Sequence, residues 1–163
     1  MNIYLKPTII LSSIVGAILG VLLLLPFFSF SFLVCLAFSL VSVFVIFYLK
    51  KNELVGILEP VDGAIIGAIA GFMCIVAANI VYIPIFGIIS AIFKSYGQGV
   101  GISIFAKIMI ENFNLFITLM FLIFFGMIGA IFNAFSGLIC AYIYERLDLD
   151  KPEDTTHFTI EED

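Results

Sequence analysis

Hydrophobic positions in this chain form three long runs instead of an alternating pattern. Residues 7–49, 63–93 and 112–144 contain no Asp, Glu, Lys, Arg or His, and the runs are 43, 31 and 33 residues long. A helix of about 20 apolar residues crosses the ~30 Å hydrocarbon core of a bilayer, so each run is long enough to span. The runs are apolar on every face, whereas strands of a membrane barrel alternate apolar and polar positions. The pattern predicts an all-α, polytopic membrane protein.

The first run is too long for one span and predicts two. A single helix of its length would extend over about 64 Å. Pro26 lies near its middle and is followed by serines, which is typical of a tight turn. We therefore expect spans at about residues 8–25 and 30–49, with Lys50 and Lys51 ending the second.

The second run predicts one span over residues 62–83. Pro60 and Asp62 are residues that favour a helix start. Tyr82 lies about 30 Å further along a helix, which is the depth of the far aromatic belt, and Pro84 follows it.

The third run predicts a fourth span over residues 114–144, ending at the interfacial residues Tyr142 and Tyr144. A continuous helix of this length is about 46 Å long, so we expect it either to protrude from the bilayer or to break. The predicted fold is a four-helix transmembrane bundle formed by residues 1–145.

Residues 85–113, between spans three and four, depart from a plain bundle. Residues 85–93 are apolar but too short to cross, and residues 102–113 are amphipathic. The polar stripe of the amphipathic part consists of Ser103, Lys107, Glu111 and Asn114. This segment is either an interfacial helix, an extension of span four, or a re-entrant hairpin that lines a cavity.

Composition and charge agree with a membrane location. The chain is 63% hydrophobic with a mean hydropathy of +1.26, which excludes an ordinary soluble domain. Its net charge of −5 arises from the C-terminal end, where residues 145–163 hold eight acidic and two basic side chains. Residues 146–163 are therefore expected to be an acidic, disordered tail.

The distribution of Lys and Arg predicts the orientation. With four spans, five basic residues lie on one side and two on the other. The larger group is Lys6, Lys50, Lys51, Arg146 and Lys151, and the smaller group is Lys94 and Lys107. Basic residues favour the cytoplasmic side, so we expect an integral protein of a prokaryotic cell membrane with both termini in the cytoplasm.

Small residues recur at every fourth position in the predicted spans. The glycines in these rows are Gly16, Gly20, Gly63, Gly67, Gly71, Gly126, Gly129 and Gly137. Such rows let helix backbones approach closely, as membrane helices require because lipid supplies no hydrophobic drive for association. We expect a glycine-zipper type of packing, mostly within one subunit, although packing between copies fits the same pattern.

Two amides lie inside the predicted spans. Asn133 is about 18 Å from Glu145 along the helix, near the midplane, and Asn79 lies nearer the outer face. Each amide has two interpretations: a hydrogen bond between helices, or a polar point on a path for a solute or ion.

The sequence lacks residues for most chemistry. Its single histidine, His157, is in the tail, and it has no phosphate-binding glycine loop and no basic patch for nucleic acid. We expect no enzyme activity and no cofactor or metal, and as partners the lipid bilayer together with a second copy or another membrane protein. The leading hypothesis is a structural or accessory membrane protein. The alternative is a small channel or transporter subunit with a polar path near Asn133 and Asn79.

Overall fold

The computed structural model describes residues 4–25, 32–56, 58–92 and 115–147, which form five α-helices and contain no strand. In chain order the helices are α1 (Leu5–Leu22), α2 (Phe32–Ser39), α3 (Val41–Lys51), α4 (Pro60–Ile92) and α5 (Leu115–Arg146). The prediction of an all-α fold is confirmed for this part of the chain.

Three helices are long and apolar enough to cross a membrane. α1, α4 and α5 contain 18, 33 and 32 residues, which correspond to about 27, 50 and 48 Å. Large apolar side chains are exposed along all three helices. Exposure of this kind suits a surface solvated by lipid and agrees with the predicted multi-span membrane class.

The ends of two predicted spans differ from the helices observed. α1 ends at Leu22, and the residues after it form turns, because a residue that precedes proline disfavours helical backbone. α4 continues through Pro84 to Ile92, so residues 85–92 extend this helix and do not form a separate segment. Pro84 removes one hydrogen bond to the Ile80 carbonyl, a loss that membrane helices tolerate.

The last predicted span forms one unbroken helix, α5, and so does not break. The rest of the predicted segment, residues 93–113, lies outside the described residues. The predicted tail also lies outside them from residue 148 onward.

In the region of the second predicted span, residues 30–49, the structure describes α2 and α3 with Leu40 between them. The Leu40 N–H donates to the carbonyls of Leu36 and Ala37, and the Phe44 N–H donates to the Leu40 carbonyl. The two helices therefore follow each other directly across a local break.

α4 lies at the centre of the fold and contacts all four other helices. Against α1, the backbone of Cys74 lies at Gly16 and that of Ala78 lies at Gly20. The residue numbers of the two contacts increase together, so α1 and α4 run parallel.

α5 packs on another side of α4 in the opposite direction. Gly63 contacts Gly137, and Gly71 contacts Gly129. α3 covers α4 and α5 and completes a buried apolar core. The core residues are Val41, Val45, Ile46, Leu49, Leu58, Ile66, Ala70, Cys74, Cys140 and Ala141.

Charged side chains of the described helices lie at one end of the fold. This end combines the starts of α1 and α4 with the ends of α3 and α5, and the Lys50 ammonium lies 5.9 Å from the centre of the Tyr144 ring. The charged residues of these helix ends are Lys6, Lys50, Lys51, Asp62, Glu145 and Arg146.

α3 ends in a Schellman motif that places a non-glycine residue in the left-handed region. Glu53 has a φ of 53°. Its N–H donates to the Lys50 carbonyl, and the Leu54 N–H donates to the Leu49 carbonyl. Glycine is the usual residue at this position, because a side chain in left-handed backbone costs about 1–2 kcal/mol.

We therefore expect Glu53→Gly to raise the free energy of unfolding in detergent micelles by about 1 kcal/mol. Asn52→Gly is the matched control. Asn52 has a φ of −98°, and its side chain donates to the Tyr48 carbonyl, so this variant should not be stabilised. A Glu53→Gly variant less stable than the natural chain would contradict the assignment.

Candidate functional site

The side-chain amide of Asn133, on α5, is inserted into the break between α2 and α3. Its Oδ1 accepts a hydrogen bond from the Ser42 N–H at 2.9 Å, and its Nδ2 donates to the Phe38 carbonyl at 2.8 Å. In a continuous helix the Ser42 N–H would itself donate to the Phe38 carbonyl, four residues earlier. The amide replaces that bond with two bonds of its own, and we call this pair the Asn133 bridge.

The bridge gives a physical cause for the break at Leu40. Insertion of a side chain into the helical hydrogen-bond ladder is a recognised source of helix kinks. The inserted amide presents one acceptor and one donor in the arrangement of a peptide group, so both separated backbone groups keep a partner. Such partners are needed in a membrane, where water cannot supply them.

Asn133 has little capacity left to bind anything else. It is 1% exposed, and its second Nδ2 hydrogen donates to the Gly129 carbonyl on its own helix at 3.0 Å. Both amide hydrogens are thus used, as is one acceptor position of the oxygen. This arrangement is typical of an amide that holds helices together.

Ser42 carries a buried hydroxyl beside the bridge. It is fully buried, and its Oγ has no hydrogen-bond partner in the described part of the chain. A helical serine usually donates to the carbonyl four residues earlier, here that of Phe38. Here the Phe38 carbonyl accepts from the Asn133 Nδ2 instead.

Close contact between α4 and α5 brings Asn133 to this position. A Cβ added at Gly67 would overlap the Asn133 backbone carbonyl oxygen, and one added at Gly71 would lie 2.7 Å from the Asn133 Nδ2. Real Cβ atoms do not approach so closely, so only glycine fits at either position.

The remaining predicted packing glycines of α4 and α5 also lie in this interface. Gly63 and Gly137 meet at their backbones, and Gly129 lies against Ile75 and the Gly71 carbonyl. Gly126 instead faces the ring of Phe72. At the Gly63 end the interface consists of backbone and small side chains, and toward Phe72 larger side chains fill it.

α1 contributes a second small-residue contact, which includes Thr8, a residue that the sequence reasoning did not select. Gly16 and Gly20 face α4, and Thr8 and Ser12 precede them at the same four-residue spacing, all four being buried. The Thr8 hydroxyl donates to the Tyr4 carbonyl and the Ser12 hydroxyl to the Thr8 carbonyl. The four-residue spacing from Thr8 to Gly20 was the only feature of the sequence that could have predicted this contact.

Asn79 lies apart from Asn133 and differs from it in its bonding. It is half-buried, and its Nδ2 donates to the Ile75 carbonyl of its own helix at 2.9 Å. It is eight residues beyond Gly71, hence about 12 Å further along α4. The structure does not bring the two amides together.

No protein-family model, curated protein or solved structure matches this chain. Its function must therefore be inferred from its own residues. The polar stripe of Ser103, Lys107, Glu111 and Asn114 lies outside the described residues. Within the described ranges there is no group of three or more His, Cys, Asp or Glu residues that could hold a metal ion.

An open apolar groove lies between α3 and α5 on the outer surface of the fold. It has a volume of about 420 Å³. Its lining residues are Leu40, Val43, Phe44 and Phe47 of α3 with Cys140 and Tyr144 of α5. We call it the α3–α5 groove. It starts beside the helix break and ends at the charged end of the fold.

Proposed function

We propose that this chain is a non-enzymatic integral membrane protein with a structural or accessory role, which acts by helix packing with itself or with a membrane partner. The Asn133 bridge is the observation that carries the proposal. The most deeply buried amide of the described residues has both of its hydrogens and its oxygen bonded to backbone. Such an amide stabilises helix packing and offers a passing solute little to bind.

The proposed membrane architecture has four crossings. α2 and α3 together cover residues 32–51, about 30 Å of helix, which equals the thickness of the hydrocarbon core. Their break at Leu40 is stabilised by the Asn133 bridge, so the pair can serve as the fourth crossing beside α1, α4 and α5. The glycine contacts of α4 would act as a glycine zipper within this bundle.

In this proposal the charged end of the fold faces the cytoplasm of a prokaryotic cell. Lys6, Lys50, Lys51 and Arg146 lie at this end, and basic residues favour the cytoplasmic side. Both termini then lie in the cytoplasm, because α1 starts and α5 ends there.

The test is reconstitution of the full chain combined with purification in a mild detergent. We expect proteoliposomes to show no ion or solute flux above empty liposomes. We also expect the purified protein to run as a complex of fixed stoichiometry, either with itself or with one membrane protein, as measured by light scattering and mass spectrometry.

Two outcomes would overturn the proposal. Flux that disappears in a folded Asn133→Leu variant would favour a channel or transporter subunit. A monomer without any stoichiometric companion would exclude action by packing with other chains. Ser136→Ala is the control for the flux measurement, since Ser136 is not part of the predicted polar path and donates to the Phe132 carbonyl of its own helix.

A further inference from the structure

We propose that the α3–α5 groove binds one acyl chain of an anionic phospholipid, whose phosphate lies at Lys51. This site goes beyond the proposed structural role, and it rests on the proposed crossing of the membrane by α2 and α3.

The length of the groove fits an acyl chain and not a transmembrane helix. From Leu40 to Lys50, α3 rises about 15 Å, which is half of the ~30 Å hydrocarbon core. One leaflet has this depth, and a lipid chain occupies one leaflet. A helix of a partner protein would need a matching surface across the full thickness, whereas this groove begins near the middle, beside the Asn133 bridge.

The chemistry of the groove changes from apolar to basic along one stripe of α3. Leu40, Val43, Phe44 and Phe47 recur at helical spacing and line it. The next positions on the same stripe are three and four residues after Phe47, namely Lys50 and Lys51. An apolar slot that ends in ammonium groups is complementary to an acyl chain followed by a phosphate.

The polar end of the groove is partly organised in advance. The Lys50 ammonium lies over the Tyr144 ring and donates to the Gly56 carbonyl, which fixes one positive charge beside the slot. Lys51 is exposed at the same end. Lys50 and Lys51 directly follow the groove-lining stripe of α3, whereas the charges of Glu145 and Arg146, which follow Tyr144 on α5, cancel each other.

The absence of tryptophan from the sequence gives a direct test. Phe47→Trp places a single fluorophore in the groove, since Phe47 is 56% exposed there. Ile10→Trp is the matched control: Ile10 is 50% exposed on α1, and it lies four residues from Lys6, as Phe47 lies four residues from Lys51. Full-length protein is reconstituted in phosphatidylcholine vesicles, into which phosphatidylglycerol or phosphatidylcholine with brominated chains is titrated as a quencher.

We expect brominated phosphatidylglycerol to quench the fluorescence of the Phe47→Trp protein in a saturable way at low mole fraction. Brominated phosphatidylcholine, and either lipid with the Ile10→Trp protein, should quench only in proportion to its mole fraction. Adding Lys51→Gln to the Phe47→Trp protein should lower the apparent affinity for brominated phosphatidylglycerol about fivefold, because one lysine near an anionic lipid contributes about 1 kcal/mol. Lys6→Gln, which removes the same charge elsewhere at this end, should leave it unchanged.

Three results would overturn the site. Equal, proportional quenching of both tryptophan variants by both lipids would mean ordinary surrounding lipid. Equal, saturable quenching by the two lipids would mean that the groove does not select an anionic headgroup. Protection of the groove tryptophan from both quenchers, with the tryptophan of the α1 control still quenched, would mean that protein covers the groove.

Discussion

Replacement of Asn133 by leucine is expected to lower the free energy of unfolding by about 1–2 kcal/mol and to close the break between α2 and α3. A hydrogen bond between membrane helices contributes about 0.6 kcal/mol on average and at most about 1.7 kcal/mol. Asn133 makes two such bonds, to the Ser42 N–H and the Phe38 carbonyl. Two bonds of average strength, or one bond near the maximum, give the expected loss of about 1–2 kcal/mol.

The conformational consequence follows from the same two backbone groups. Without the bridge, the Ser42 N–H and the Phe38 carbonyl would both be unpaired in a dry environment, at a cost of several kcal/mol each. The chain can avoid that cost by letting them bond to each other, as they would in a continuous helix. We therefore expect the variant to keep its fold while α2 and α3 join into one helix through Leu40.

Two measurements check this expectation. Reversible unfolding in bicelles gives the loss of stability, and NMR of isotope-labelled serine follows the Ser42 amide, assigned by its disappearance in Ser42→Ala. Asn79→Leu is the matched control, because Asn79 donates to the Ile75 carbonyl of its own helix, and the loss of stability in this variant should be clearly smaller. An Asn133→Leu variant that is as stable as the control, with an unchanged Ser42 resonance, would refute the bridge.

The break at Leu40 shows what a sequence pattern of this kind leaves out. No proline or glycine lies near Leu40, so the local sequence predicts an uninterrupted second span. The side chain that bonds to the backbone groups at the break is that of Asn133, more than 90 residues later in the chain. The sequence did single out Asn133 as a buried amide with two interpretations, but its partners depend on how the helices are arranged.

Composition and residue spacing predicted the helices and their close packing. Rules for helix ends were less reliable where tertiary contacts oppose them. Pro84 predicts the end of a span, yet α4 continues past it. Tyr82 and Phe86, on either side of the proline, pack against Leu23 and Leu24, which follow α1, and this packing stabilises the helix before and after Pro84. The four-residue rows of glycine predicted close packing, and Gly67 and Gly16 do contact backbone of another helix. The spacing does not predict which helix packs against each glycine row, because a row of glycines can pack against any helix.

The second large effect is expected at Gly67, where the α4 backbone rests on α5. We expect Gly67→Ala to lower the free energy of unfolding by about 1–3 kcal/mol, the usual cost of overpacking. The added Cβ would overlap the Asn133 carbonyl oxygen and lie 3.2 Å from the Ala134 Cα. Both are backbone atoms and cannot rotate away, so the two helices must separate.

The direction of this effect is diagnostic, because alanine favours helix over glycine by about 1 kcal/mol. A substitution that improves helix propensity and still destabilises must act through the contact between helices. Gly56→Ala is the control for the same chemical change, since a Cβ there meets nothing within 4 Å. It should stay within about 0.5 kcal/mol of the natural chain.

Combination with Asn133→Leu tests whether the contact and the bridge form one unit. Gly67 sets the distance between α4 and the Asn133 backbone, so its replacement should displace the amide from Ser42 and Phe38. The double variant is then expected to lose less stability than the sum of the two single losses, by about 0.5 kcal/mol or more, as neighbouring sites do when they share partners. Strictly additive losses in the bicelle unfolding assay would mean that the glycine contact holds the helices together without positioning the bridge.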